Sequence, residues 1–590
     1  MMEAQKMNTK TKILITKLGT ILKPQWSWVP YGILLVAMWL FWASAVSTSA
    51  ARIASLQTIE PYAFAVQEQL LRNFAETGSF SQTIHRGYDD AWTWSGHRAL
   101  TLPFVGWLYG FSPSALWLST IMISFFMMGA LGAGCIAKRH FSLGSSNVSS
   151  EKSATISAWY FAWGGLVYLS MPAVMALALQ DYQDLCFAVP CLVWAWCLME
   201  TGRWWWVVLG CLLAIAPREE TVPMAIAIAI LARPYTIAPK IDPIAPALSG
   251  ISGVIARWRE LYPWKIHLRN IGIVALLAFG YVWWAQRYFP LQSGGHDMPL
   301  ENAMGSLGHE RIFLEGWVYH TRFYVLVFIP LGLLCWFSPV VASLAVVLCV
   351  LHMSVPDGHG VDRSWSGHCH HMAPAVAFSC ISILIGASRV WRALVWVCRE
   401  YTSPANILLL IALYWSGWWW KEWADYYNII QSTTVEEPTW VHPAWKLKDI
   451  ALQRDPSTVL VVNKNTALVA SDQLRSYTLD ESLSGKERKR GLAAGNCAIA
   501  DARRKDIVAR ILTMDGVEEV ASEEVFTLWC WSPSAVDRFS MQEKRFSPME
   551  SYTGSYKKGS DIPGTAPRES KLSTQMGTFP VINMKDWRIE

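Results

Sequence analysis

Two short charged turns interrupt the apolar stretches of this sequence, and both carry side chains that could take part in chemistry. The stretch LALQDYQDLC places Asp181 and Asp184 one helical turn apart at the start of a short apolar segment. The stretch APREETVP places Arg218, Glu219 and Glu220 between two half-length apolar segments. Ionisable groups at or near membrane depth are expensive and usually line a site or a pathway. The alternative is an internally paired cluster of arginine and glutamates that holds two broken helices together.

A further carboxylate, Glu60, stands near the start of the connection 49–112, which is far longer than a simple connector. Its side chain could face a cavity or be a solvated charge. Apolar residues at helical spacing follow it and predict an amphipathic helix at the membrane surface, namely Tyr62, Val66, Leu70 and Phe74.

A histidine-rich segment, SVPDGHGVDRSWSGHCHHMAPA, could supply ligands to Zn²⁺ or another divalent cation. No standard metal-ligand spacing is met, and His359, His368 and His370 are the candidate ligands. The alternatives are hydrogen bonding in a pocket, or contact with a phosphate by the histidines and Arg363. A divalent metal ion is therefore only one of the cofactor hypotheses.

The composition indicates that membrane-spanning helices position these residues. Charged residues make up 16% of the 590 residues, the hydrophobic set reaches 53%, and the mean hydropathy is +0.23. These values exclude a soluble enzyme, a disordered scaffold and a collagen-like fibre. The net charge of +5 is too small an excess to indicate nucleic acid binding. The sequence therefore predicts a mainly α polytopic membrane protein.

About eleven apolar stretches are long enough, or nearly so, to cross a bilayer. Three of them are short, and such spans are tolerated where they line a cavity inside the protein. The predicted spans are 31–48, 113–136, 154–171, 185–199, 204–216, 221–232, 270–288, 323–337, 339–353, 373–388 and 405–420.

The distribution of Lys and Arg predicts the orientation. With a cytoplasmic N-terminus, the inner connections carry most of the basic residues and the outer connections most of the carboxylates. The predicted location is a prokaryotic cytoplasmic (inner) membrane, with the C-terminal region extracytoplasmic. The predicted divisions are a basic N-terminus 1–30, a transmembrane domain 31–421, an outer domain 422–534 and a polar extended tail 535–590.

The outer domain is predicted to be a small α/β domain over 457–531. TVLVVNKNTALVA is strand-like, 503–513 is an amphipathic helix and EVFTLWCW ends the domain with another strand. Cys497 and Cys530 fall in the two later strand candidates, where an oxidising compartment would allow them to pair. Two buried free thiols are the alternative.

The order of these parts resembles a prokaryotic family of predicted membrane proteins of unknown function that is related to the GT-C glycosyltransferases. The resemblance covers roughly residues 30–531. Here the family's Asp is replaced by Glu60, and a His that the family often shows near the acidic turn is missing. The matching segments are Glu60-Pro61-Tyr62 through Gln67, His97 with LTLPFVGWLYGFSPSAL, Asp181 to Asp184, Arg218-Glu219-Glu220, His370-His371-Met372-Ala373-Pro374 and VLVVNKNTALVASDQLRSYTL.

The resemblance implies a GT-C-like membrane fold and transfer of a sugar from a polyprenyl-phosphate donor to an extracytoplasmic acceptor. Glu60 would be the catalytic base, and Arg218, with Arg363 or the histidines, would contact the departing phosphate. The implied partners are the lipid-linked sugar and membrane lipids. The implied substrate-binding residues are Asp89, Asp90, His97, Asp181, Asp184, Arg218, Glu219, Arg363, His370 and His371.

Two rival functions remain open from the sequence. A non-catalytic structural subunit of a larger membrane complex would use the tail 535–590, the Pro-rich connection 233–269 and the tryptophan-rich surface to contact protein partners. A transporter would use the charged breaks in the short spans, although no internal repeat is present.

Overall fold

The computed structural model shows a helical bundle with a small α/β domain at its C-terminal side. Statements about structure refer to the described residues, which are 28–57, 61–78, 80, 84, 99–142, 150–232, 264–288, 334, 337–353, 372–397, 441–473, 476–479, 492, 495–514 and 516–531.

The bundle is built from apolar helices and two short 3₁₀ turns. The first helices are α1 (Val29–Ser55), α2 (Pro61–Thr77), α3 (Thr101–Tyr109), α4 (Ala115–Ser142), α5 (Ser150–Ser170) and α6 (Pro172–Ala178). The 3₁₀ turn Asp184–Phe187 is followed by α7 (Ala188–Met199) and α8 (Trp204–Ile215). The 3₁₀ turn Glu219–Thr221 is followed by α9 (Val222–Leu231), α10 (Trp264–Tyr288), α11 (Pro339–Met353) and α12 (Ala373–Val397).

Nine of the eleven predicted spans coincide with helices of this bundle. Four helical segments are long and apolar enough to cross a membrane, and they are Val29–Ser55, Ala115–Ser142, Trp264–Trp284 and Ala373–Trp391. The predicted spans 323–337, apart from Leu334 and Phe337, and 405–420 lie outside the described residues. The chain is therefore a multi-pass membrane protein by its apolar helices.

The helices α4 and α5 approach each other closely because glycines lie between them. A Cβ atom on Gly164 would lie 2.5 Å from Ala137 Cβ and 2.6 Å from the Ala133 carbonyl oxygen. Small residues at such positions let helix backbones pack tightly in a membrane, where the hydrophobic effect does not drive association.

The amphipathic helix predicted after Glu60 is present as α2, but its buried face is wider than the apolar pattern indicated. Leu70 is fully buried, as predicted, yet the polar side chains of Gln67, Glu68 and Gln69 are buried as well. The cause is tertiary, because α2 packs between α3 and the C-terminal domain.

The C-terminal domain contains a five-stranded mixed sheet in the order β2-β1-β3-β5-β4. The helix α13 (Pro443–Arg454) precedes β1 (Leu460–Asn463), β2 (Tyr477–Leu479), β3 (Cys497–Asp501), α14 (Lys505–Ile511), β4 (Glu518–Glu523) and β5 (Phe526–Cys530). β1 pairs in parallel with β2 and β3, while β5 pairs antiparallel with β3 and β4.

In this domain the structure corrects one prediction made from the sequence and decides between two alternatives for the cysteines. The strand-like stretch 458–470 forms a strand only to Asn463, and Lys464–Ala470 is a 3₁₀ helix that packs against α2. Cys497 and Cys530 lie opposite each other on β3 and β5 and form a disulfide. Pairing rather than two free thiols is therefore the arrangement in the structure.

Candidate functional site

The last turn of α1 carries a buried arginine that connects two parts of the bundle. Arg52 is 5% exposed, and its Nη1 donates to the carbonyl oxygen of Leu179, 2.5 Å away. Leu56 ends α1 in the left-handed region at φ 54°, which costs a non-glycine residue about 1–2 kcal/mol. The chain therefore leaves α1 through a strained turn three residues before the segment that contains Glu60.

The acidic turn after α6 is buried at the same place. Asp181 is 6% exposed and Asp184 is fully buried, and the Tyr182 hydroxyl donates to Asp184 Oδ1 at 3.0 Å. The two aspartates are not one helical turn apart, because Gln183 is extended and helical structure begins only at Asp184. The prediction that Asp181 and Asp184 are one helical turn apart is therefore wrong.

Arg218 approaches this acidic turn from the connection between α8 and α9. Its side chain is 3% exposed, and its Nε and Nη1 have no hydrogen-bond partner among the described residues. Burial is the main cause of the raised pKa of Tyr182, the charge of Asp184 raises it further, and the charge of Arg218 opposes this effect. Arg218 and Asp184 therefore act on the same buried phenol.

The connection that carries Arg218 is fixed by backbone contacts. The Thr101 amide at the start of α3 donates to the Ala216 carbonyl at 3.1 Å, and the Thr221 hydroxyl donates to the Arg218 carbonyl at 2.7 Å. Glu219 and Glu220 are half-buried beside it. An internally paired arginine–glutamate cluster does not account for Nε and Nη1 of Arg218, which find no acceptor in the described part of the chain.

We call this region the domain end of the bundle, defined by residues 52–57, 179–187 and 216–221. The C-terminal domain contacts it directly, because the His442 amide donates to Ala54 O at 2.9 Å and Trp445 Nε1 donates to Ile53 O at 3.3 Å. α12 also packs against the 3₁₀ turn Asp184–Phe187.

The opposite end of the bundle, which we call the far end, contains residues 138–142 and 197–203. Arg139 Nη1 donates to Glu200 Oε2 at 3.1 Å, and Glu200 Oε1 lies 2.7 Å from His140 Nε2. α4, with 28 residues and thus about 42 Å long, runs between the two ends.

Several predicted site residues lie outside the described part of the chain. They are Glu60, Asp89, Asp90, His97, Arg363, His370 and His371, together with the candidate metal ligands His359 and His368. The elements that flank Glu60 are described, and α1 ends at the domain end while α2 begins at Pro61. Within the described residues, no three His, Cys, Asp or Glu side chains converge to hold a metal ion.

Sequence reasoning missed two buried ionisable residues of this region, Arg52 and Glu68. Arg52 has a signal in the sequence, because an arginine at the outer end of the first predicted span departs from the positive-inside rule. Glu68 has no such signal, since it stands among polar residues of an amphipathic helix and becomes buried only through contacts with distant parts of the chain.

Comparison with known proteins bears on the fold. Residues 52–281 match the family described as predicted membrane protein (DUF2079). This confirms the resemblance inferred from the order of motifs. Comparison with curated proteins finds no match.

Among solved structures, the chain is similar to a crystal structure of ArnT from Cupriavidus metallidurans bound to undecaprenyl phosphate. The TM-score is 0.51, the sequences are 12% identical, and the alignment covers 86% of this chain and 99% of the ArnT chain. At this identity the likeness concerns the fold alone.

Proposed function

We propose that this chain, whose residues 52–281 match the DUF2079 family, is a GT-C-like membrane glycosyltransferase with a polyprenyl-phosphate-linked sugar as donor. The fold it shares with ArnT supports this proposal, and the ArnT structure holds undecaprenyl phosphate. The main observation in favour of the proposal is the buried guanidinium of Arg218, whose Nε and Nη1 have no hydrogen-bond partner among the described residues. A buried guanidinium with unmet hydrogen bonds is costly, and the oxygens of a phosphate would accept them.

The proposed topology has eleven spans, a cytoplasmic N-terminus and far end, and an extracytoplasmic domain end and C-terminal domain in the inner membrane. The charges at the far end support it, since Arg139, Arg203 and Arg269 lie there. The disulfide between Cys497 and Cys530 supports it too, because disulfides persist in oxidising compartments.

In the proposed reaction, Glu60 takes a proton from the acceptor hydroxyl while that oxygen attacks the anomeric carbon of the sugar. The bond between this carbon and the phosphate oxygen breaks, and negative charge develops on the departing lipid phosphate. Arg218 stabilises that charge together with Arg363 or His370 and His371.

The remaining polar residues are assigned to the substrate pocket. Asp89, Asp90 and His97 would line the donor or acceptor pocket, and Asp181, Asp184 and Glu219 would border the phosphate. The buried positions of Asp181 and Asp184 at the domain end support this assignment.

The first experiment measures binding of undecaprenyl phosphate to the full chain in nanodiscs, comparing Arg218→Gln with the wild type. Loss of charge-assisted hydrogen bonds worth about 2–3 kcal/mol predicts an affinity roughly 30–160-fold weaker. Arg203→Gln is the control, because it removes one positive charge from an exposed position at the far end. Thermal stability of Arg218→Gln should equal or exceed that of the wild type, since a buried charge with unmet hydrogen bonds is removed.

The phosphate assignment fails if Arg218→Gln binds the lipid as tightly as the wild type and unfolds at a lower temperature. That result would make Arg218 a structural residue. Copurification of stoichiometric protein partners without any lipid phosphate would favour the structural subunit.

A second experiment tests the base by native mass spectrometry of protein gently extracted from its own membrane. Glu60→Gln should retain the sugar-loaded lipid, whereas the wild type should retain the lipid phosphate product, because only the chemical step is blocked. Wild-type turnover in Glu60→Gln would exclude Glu60 as the base.

A further inference from the structure

The contact between α2 and the C-terminal domain contains a buried carboxyl group without a directly bound cation. Glu68 is 2% exposed and accepts hydrogen bonds from the hydroxyls of Ser471 and Tyr109, the latter at 3.2 Å. Ser471 follows the 3₁₀ helix of the C-terminal domain, and Tyr109 ends α3. We call these three residues the Glu68 junction, and it joins three separate parts of the chain.

The charges around the junction do not neutralise an ionised Glu68. Lys448 of α13 is the nearest favourable charge from the domain, but its Nζ binds Asp472 at 2.5 Å. Arg72, one turn further along α2, binds Glu76 at 2.8 Å. Burial raises the pKa of Glu68 to about 7, and Asp472 adds to this, while Ser471, Tyr109 and Lys448 oppose it.

Four further hydrogen bonds near the junction join neutral groups. Gln69 Nε2 donates to Ser476 Oγ at 3.0 Å and to Gln473 O at 3.1 Å, and Gln69 Oε1 accepts from the Ile84 amide at 3.1 Å. Thr478 Oγ1 donates to Ile84 O at 2.9 Å. These four bonds do not depend on pH, whereas the charge of Glu68 does.

We propose that Glu68 is a proton-controlled latch that holds the C-terminal domain on α2 when protonated and loosens that contact when ionised. Docking buries the carboxyl group, so the docked state binds the proton more tightly than the undocked state, in which water solvates Glu68. Stability of the contact is therefore complete at acidic pH and falls as the pH rises towards 7.

The proposed latch is inferred from the contacts of the Glu68 junction alone. Its consequence for catalysis rests on the proposed function. α2 begins at Pro61, directly after Glu60, so the domain holds the helix that follows the proposed base. Glu68 would then be a positioning residue, which places Glu60 without touching substrate.

The test is hydrogen exchange of the full chain in nanodiscs between pH 5 and pH 8.5, expressed as protection relative to the intrinsic rate at each pH. Protection of peptides covering 61–77 and 464–473 should fall as the pH rises. A pKa of about 7, compared with the ordinary value of 4.5, gives a full change of roughly 300-fold between acidic and basic limits. Roughly 75-fold of this change falls between pH 5 and pH 8.5. In Glu68→Gln, which keeps the shape but cannot ionise, protection should stay at its acidic level throughout.

Peptides from β3 and β5 serve as an internal control because their disulfide-linked core lies away from the junction. Their protection should not change, since the domain undocks without unfolding. Parallel loss of protection in these peptides, or an equal pH dependence in the wild type and in Glu68→Gln, would overturn the latch.

Tyr109→Phe gives a second readout should Glu68→Gln not fold. It removes a hydrogen bond that favours the ionised carboxylate, so the midpoint of the exchange transition should move to higher pH. An unmoved midpoint would contradict the proposed role of Glu68. Neither measurement uses undecaprenyl phosphate or turnover, so a failure here leaves the tests of Arg218 and Glu60 unaffected.

Discussion

The two ends of the helical bundle differ in how their buried charges are compensated. At the far end, Glu200 is 3% exposed and has Arg139, His140 and Trp196 as hydrogen-bond partners, with distances of 3.1, 2.7 and 2.7 Å. Burial alone would raise the pKa of Glu200, but His140 and Arg139 hold it below its ordinary value. This carboxylate is ionised, satisfied and suited to a structural role.

Arg218 at the domain end and Glu68 at the Glu68 junction have no such set of charged partners among the described residues. Arg218 has two nitrogens without acceptors among the described residues, and Glu68 accepts only from neutral hydroxyls. Groups in this condition change their charge or bind a ligand of opposite charge. The far end is thus satisfied internally, whereas the proposed phosphate contact of Arg218 and the proposed protonation of Glu68 would each compensate a buried group.

The described disulfide lies in the C-terminal domain, between Cys497 and Cys530. Cys197 at the far end is free, and so is the buried Cys186 at the domain end. The proposed orientation explains the disulfide, since it places the far end at the reducing cytoplasm and the domain in the oxidising compartment.

The largest expected effect is at the far end. Glu200→Ala should lower the free energy of unfolding by about 3–5 kcal/mol, because it leaves Arg139 and His140 without their counter-charge. A denaturant titration in mixed micelles measures this, and undecaprenyl phosphate affinity should not change.

The control is Glu76→Ala, which removes an exposed carboxylate from its pair with the half-buried Arg72 and should cost less than about 1 kcal/mol. Equal effects of the two substitutions would show that the interactions of Glu200 with Arg139 and His140 contribute no more to the free energy of unfolding than the pair of Arg72 with Glu76.

Removal of the disulfide should have the next largest effect. Cys497 and Cys530 are 33 residues apart, and a closed loop of this size predicts a loss of about 3–4 kcal/mol from the C-terminal domain in the Cys497→Ala/Cys530→Ala variant. Thermal unfolding of the domain, with and without a reductant, is the measurement.

The reductant should destabilise the wild type and leave the double variant unchanged. Free thiols at both positions, after extraction with a thiol-blocking reagent, would contradict the proposed difference in compartment between the two ends.

The smallest expected effect is at the Glu68 junction. Ser471→Ala should destabilise docking of the domain by about 1–2 kcal/mol, since it removes one hydrogen bond to a buried carboxyl group. The cost should be larger at pH 8 than at pH 5, because this bond favours the ionised form of Glu68. Hydrogen exchange of 464–473 at both pH values measures it, with Ser457→Ala on the exposed surface as the control.

Much of the fold could be predicted because its signals are local. Apolar stretches mark helices such as α1 and α4, since hydropathy over about twenty residues depends only on consecutive side chains. The buried turns at Asp181 and Arg218 were also found from the sequence, because charges between apolar segments are costly and therefore conspicuous. The order of motifs identified the family resemblance.

Other features depend on residues far apart in the chain. Strand-like composition predicts a strand through 464–470, but this segment is a 3₁₀ helix that packs against the distant helix α2. Cysteine positions allow a disulfide or free thiols, and only the register of β3 with β5 places Cys497 opposite Cys530.

The sequence alone therefore determined the membrane class, most helix positions and the charged turns, all of which depend on neighbouring residues. The tertiary structure alone decided which of these charges are compensated. Glu200 meets Arg139 and His140, whereas Arg218 meets no acceptor through Nε and Nη1 in the described part of the chain, and Glu68 meets Ser471 from 403 residues away. The reason is that the energy of a buried charge is set by what surrounds it in space, and that is known only once the chain is folded.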